Sequence, residues 1–128
     1  MVLFEDDKIR KETISYAVEL ARRLESGICV LMLMADGKIE SKRGIERNLH
    51  TVLETIKKHG IATKGEIRCG DKTSEFLKFL ALNHRLSAIV WGSNDNVITK
   101  HGGKSGHWLT RAARHLECSI VSPTIKNF

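Results

Sequence analysis

The sequence predicts an α/β fold, a single three-layer domain over residues 1–128 with a five-stranded parallel doubly wound sheet and helices on both faces. Three observations predict it. Five strand-like runs alternate with four amphipathic stretches, which implies parallel pairing through right-handed crossovers. The run from Ile28 to Met34 is apolar at every position, as suits a strand buried on both faces. The chain has 128 residues, enough for one core, and no linker, low-complexity segment or internal repeat divides it.

Val2 to Phe4 is a short apolar run that ends in acids and reads as the first strand. Lys8 to Glu25 reads as a helix, because Ile14, Ala17, Val18, Ala21 and Leu24 fall on one face at helical spacing while Glu19, Arg22 and Arg23 face away. Ser26-Gly27 ends it, with the glycine suited to a left-handed cap. Ile28 to Met34 is the second strand and Ala35-Asp36-Gly37 its turn. Ile45, Leu49, Val52, Leu53 and Ile56 mark a second helix, closed by Lys57, Lys58, His59 and Gly60 as a helix C-terminus favours.

Thr63 to Cys69 reads as a third strand, less apolar and therefore placed at an edge. Gly70-Asp71 turns the chain, and Thr73 or Ser74 can cap a third helix carrying Phe76, Leu77, Leu80 and Leu82. Leu86 to Trp91 is the fourth strand. Ser105 to Leu116 is the fourth helix, with Trp108, Leu109, Ala112, Ala113 and Leu116 inward. Cys118 to Val121 is the fifth strand, stopped by Pro123. In such sheets ligands bind beyond the carboxyl ends of the strands, where strand order reverses. Asp6, Met34 and Gly92 sit at such ends.

Composition narrows the function classes. The hydrophobic fraction is 41%, the charged fraction 28% and the aromatic fraction 5%. So few rings argue against a stacking platform for single-stranded nucleic acid. No apolar run approaches the roughly 20 residues of a membrane span, and the acidic N-terminus lacks a signal-peptide layout. The expectation is a cytoplasmic protein without membrane insertion. Cys29, Cys69 and Cys118 are far apart and form no CxxC pair, which reads as buried reduced thiols. The net charge is +6 and uneven: residues 1–40 hold eight acids and six bases, whereas residues 96–128 hold one acid, Glu117, and five bases. The positive field surrounds the loop from Gly92 onward. That suits an anionic ligand, and a solvated basic face accounts for it nearly as well.

The motifs exclude several chemistries. Gly102-Gly103-Lys104-Ser105 resembles the end of a P-loop, but Ile98 stands where its first glycine belongs and the loop is too long. Ser74, Ser93 and Ser105 lack a nucleophile-elbow context. No histidine pair has zinc-ligand spacing; His50, His59, His84 and His115 read as solvated, while His101 and His107 flank the loop. Asp6 and Asp7 either cap the first helix or offer Asp6 to a base or ribose. Trp91 and Trp108 read as core or interface residues.

With these segments in order, the chain resembles the universal stress protein family along nearly its whole length. The similar features are an acid after the first strand at Asp6, the helix ISYAVELARRL, Gly70-Asp71 before a helix with Phe76 and Leu77, the strand AIVWGS, and RAARHLECSIV running into a cysteine-containing last strand. Nucleotide-binding members carry a loop G-x2-G-x9-G-[ST]. Gly92 fits its first position, and Asp95 replaces its second glycine. Counting back from Cys118 puts Gly106 at the third glycine and His107 at the hydroxyl position, with the loop one residue longer; strict forward spacing puts Ser105 and Gly106 there instead. Asp95 brings a charge and a Cβ where backbone must approach a phosphate.

The resemblance implies strand order 3-2-1-4-5, a homodimer through the last strand, and ATP or a related adenine nucleotide as ligand, with Mg2+ its candidate companion. Asp6 and the backbone near Leu33 would meet base and ribose. Gly92, Gly103, Lys104, Ser105, Gly106 and His107 would meet the phosphates. No catalytic residue is assigned, so any ATP hydrolysis would be slow. The alternative reading is a nucleotide-independent protein-interaction module, free-standing or a domain of a membrane transporter. Nucleic acid is not expected as a partner.

Overall fold

The computed structural model describes residues 1–5, 9–34, 42–82, 86, 88–92, 108–113 and 119–121. Its elements run β1 (Val2–Glu5), α1 (Lys11–Leu24), β2 (Ile28–Met34), α2 (Lys42–Lys57), β3 (Thr63–Cys69), α3 (Lys72–Leu82), β4 (Ala88–Trp91), α4 (Trp108–Ala113) and β5 (Ser119–Val121). The sheet is parallel in every pairing, with order β3-β2-β1-β4-β5. The expected class and strand order are therefore the observed ones.

Strand alternation divides the core in two. Val2, Phe4, Val30, Met32 and Val90 face α1 and α2, packing on Ile14, Val18, Ile45 and Ile56. Leu3, Leu31, Leu33, Ile89 and Trp91 face α3 and α4, packing on Phe76, Phe79 and Leu109. The uninterrupted apolar run of β2 is thus explained: its odd and even residues line different cores. Strand β3 is an edge strand, as its weaker apolarity predicts, and Lys64, Gly65 and Glu66 are exposed.

Several local expectations need correction. Helix α1 starts at Lys11 rather than Lys8. Its N-cap is Arg10, whose side chain makes no capping bond and whose N–H donates to the Gly92 carbonyl at 3.0 Å; Asp6 and Asp7, offered as caps, lie outside the described residues. Its left-handed C-cap is Glu25, φ 51, rather than Gly27. Gly27 answers a different need. A Cβ there would lie 2.9 Å from the Ala62 carbonyl oxygen, the same oxygen that accepts the Ile28 N–H at 2.9 Å. Gly60 closes α2 at φ 75, as expected.

Helix α3 is capped by Asp71, not by Thr73 or Ser74. The Ser74 N–H and hydroxyl donate to Asp71 Oδ2 at 3.0 and 2.8 Å, and the backbone bond first, then the hydroxyl, holds this carboxyl below the usual aspartate range. Phe76 and Phe79 are its buried residues. Leu77 and Leu82, two of the four apolar residues that mark this helix in the sequence, are exposed, Leu82 to 73%. The stretch FLKFLAL is apolar on most sides, so spacing alone does not select the inner face. Cys29 is half-buried, and burial pushes its thiol pKa up; Cys69, expected buried, is exposed at the end of the edge strand. Both are free thiols, and Cys118 lies outside the described residues.

The face that α3 buries has a measurable consequence. Phe79→Ala should cost about 3–5 kcal/mol, whereas Leu82→Ala should cost less than about 0.5 kcal/mol. Urea unfolding of the two variants tests this, and equal losses would contradict it.

Candidate functional site

The strand order places its reversal between β1 and β4, since the chain winds outward through β2 and β3 and then returns to the other side of β1. The site is therefore sought at the carboxyl ends of those two strands. Glu5 ends β1, Trp91 ends β4 and Gly92 follows it.

Gly92 is tightly enclosed. Its N–H donates to the Leu3 carbonyl at 2.8 Å and its carbonyl accepts from Arg10. A Cβ on Gly92 would stand 2.2 Å from the Phe4 ring. The glycine thus allows close approach between β1, β4 and the start of α1, a requirement of the frame before any ligand is considered.

Glu5 follows Leu3 by two residues and so faces α3 and α4. It is 8% exposed. A buried carboxylate needs partners, and among the described residues α3 and α4 each supply one. Lys72, at the first position of α3, pairs its ammonium with Glu5 Oε1. Trp108, at the first position of α4, donates its indole Nε1–H to the same oxygen at 3.3 Å. The Trp108 ring stands edge-on to Phe76 and Trp91, with centroids 5.4 and 6.3 Å away and planes near 70°. Lys72 follows the end of β3 by three residues, yet its ammonium is at the end of β1.

Toward the sheet edge, Arg68 lies 3.3 Å from a carboxylate oxygen of both Glu66 and Glu75, with its guanidinium carbon 5.8 Å from the Phe79 ring centroid. This cluster closes the outer flank of α3. At the opposite, amino-terminal edge, a cavity of about 590 Å³ opens between the end of α1 and the starts of β2, β3 and β4. It contains none of the residues that the sequence nominates.

Of those nominated residues, the structure describes two. Leu33 is buried in β2, paired with Glu5 on one side and Arg68 on the other. Gly92 is at the switch point as expected. Asp6, Gly103, Lys104, Ser105, Gly106 and His107 lie outside the described residues. The sequence reading missed Glu5 and Lys72. Glu5 carries a usable signal, an acid within the first strand's alternation, whereas Lys72 resembles any helix-start lysine. Among the described residues no group of three or more His, Cys, Asp or Glu could hold a metal ion, and no helix is long and apolar enough to cross a membrane.

No protein-family model matches the sequence, and no curated protein matches it. Solved structures do. Universal stress protein UspA from Lactobacillus plantarum matches with a TM-score of 0.70 at 14% identity, over 94% of this chain and 94% of its own. A member of the universal stress protein family from Burkholderia pseudomallei matches at 0.67 and 14%, over 95% and 94%. A universal stress protein from Archaeoglobus fulgidus matches at 0.62 and 16%, over 94% and 96%. This chain therefore has the universal stress protein fold.

The Glu5–Lys72 pair can be measured without a ligand. A double-mutant cycle with Glu5→Gln and Lys72→Met should give a coupling of about 0.5–3 kcal/mol, read from chemical unfolding. Strict additivity would show that the pair does not form.

Proposed function

We propose that this chain, built on the universal stress protein fold, is a cytoplasmic regulatory module that binds ATP or a related adenine nucleotide beyond the carboxyl ends of β1 and β4. The observation that carries the reading is the meeting of the Glu5–Lys72 pair and Gly92 at the switch point, the ligand position of doubly wound sheets. The donor set suits a phosphate-bearing ligand: an ammonium at Lys72 stands at this edge, and the residues that follow Gly92 include Lys100 and Lys104.

In this reading Gly92, Gly103, Lys104, Ser105, Gly106 and His107 meet the phosphates. Asp6 and the backbone near Leu33 meet the base and ribose. Mg2+, when present with the nucleotide, would neutralise part of the phosphate charge. The protein acts through occupancy rather than rapid turnover. Homodimerisation through β5 completes the module, because β5 is an edge strand and an unpaired edge offers backbone groups to a second copy.

Asp95 and His107, at the motif's second glycine and hydroxyl positions, favour a second reading: a nucleotide-independent module that works through protein contacts. A thermal-shift series with ATP, ADP and AMP separates the two. Nucleotide at 100 times its dissociation constant should stabilise the fold by about 2.7 kcal/mol. No shift at millimolar ATP would leave the second reading. Gly106→Val should abolish ATP binding while leaving the folded spectrum intact, and unchanged affinity would show that the phosphates lie elsewhere. Sedimentation over a concentration series should show a dimer; a monomer at all concentrations would remove the β5 interface.

A further inference from the structure

The geometry points to Lys72 as an anion-binding cation of the carboxyl edge, and to Glu5 as its built-in competitor: a phosphate-bearing ligand binds by taking the Lys72 ammonium from the Glu5 carboxylate. This rests on the anion-binding reading of the edge given above and adds a residue and a control to it.

Three features carry the inference. The first is the root of Lys72. Its backbone is held at the start of α3 by the Asp71 cap, while its ammonium sits at the end of a flexible four-carbon stem. The tip can change partner without moving the helix. The second is the double support of Glu5. Lys72 and the Trp108 indole N–H both reach Oε1. When Lys72 leaves, the carboxylate keeps a donor, so the exchange does not strand a buried charge without a partner. The third is charge. Glu5 offers one negative charge, and a polyphosphate offers several, so attraction at similar distance favours the exchange.

The pair thus sets a threshold. The apparent affinity for an anion is the intrinsic affinity reduced by the fraction of molecules in which Lys72 is available. Ligands without phosphate do not compete for Lys72 and do not feel the threshold. Release of Glu5 also alters the surroundings of Trp108, one of the two tryptophans in the chain. Anion binding should therefore change Trp108 emission, which a Trp91→Phe variant isolates.

The test is equilibrium binding of ATP, adenosine and inorganic tripolyphosphate to the wild-type chain, Glu5→Gln, Lys72→Met and the double variant. Glu5→Gln should tighten ATP and tripolyphosphate about tenfold and leave adenosine unchanged. The gain should vanish in the Lys72→Met background. A gain that persists without Lys72 would reveal a general field effect and overturn the inference. Equal ATP binding by wild type and Glu5→Gln would overturn it while leaving the nucleotide reading intact. A tenfold gain for tripolyphosphate without ATP binding would support it and remove the nucleotide reading. Binding of neither anion to either protein would overturn both. If Glu5→Gln does not fold, Lys72→Met alone decides: selective loss of both anions supports the exchange, and unchanged affinity refutes it.

Discussion

Strand β1 has four residues, all buried, and pairs with β2 on one side and β4 on the other. The rest of the structure depends on this central burial. Val2 and Phe4 contribute to one core and Leu3 to the other, so helices must cover both faces. The apolar area involved is the main favourable term in such a fold. Neighbouring chain must also come close to β1. The Phe4 ring occupies the space that a side chain at Gly92 would need, and the Gly92 backbone bonds to both β1 and the start of α1. Glycine at the switch point is therefore a packing requirement first.

The same burial makes the end of β1 electrostatically demanding. Glu5 continues the alternation of Leu3 into the α3–α4 side, where an ionised carboxylate without partners would be costly. Lys72 and Trp108 meet that demand from the first positions of α3 and α4. One carboxylate thus ties together the central strand and both helices of that face. Its neighbourhood differs from that of Arg68, whose pairing with Glu66 and Glu75 spans the edge strand and an exposed flank. The Glu66 arm is open to solvent and adds little stability, while the Arg68–Glu75 arm is nearly as enclosed as the Glu5–Lys72 pair.

Much of the fold was legible in the sequence because it follows from periodicity. The span of β2, the edge position of β3 and most of the inner face of α1 come from local patterns of apolar and polar residues; Leu24, placed on that face by its spacing, is exposed at the helix end. Errors arose where two local solutions compete. Asp71 and Ser74 are both good caps, and the aspartate wins by accepting two bonds from the serine. Gly27 resembles a helix cap, but its missing side chain serves the approach to Ala62, and Glu25 takes the left-handed conformation. In α3, Phe76 and Phe79 outcompete Leu77 and Leu82 for the interior, a choice made by the sheet beneath them.

The candidate site was legible as a place more than as a set of side chains. By itself the sequence determined the α/β class and the alternating elements, because hydrophobic periodicity and turn chemistry act over a few residues, whereas the strand order, and with it the switch point, was implied by the resemblance to the family. Only the tertiary structure decided what happens to Glu5. Its partners are 67 and 103 positions away in the chain, and no local pattern couples residues across such distances. Two crossovers deliver Lys72 and Trp108 to the end of β1, and the burial of that strand's end gives their meeting its electrostatic weight.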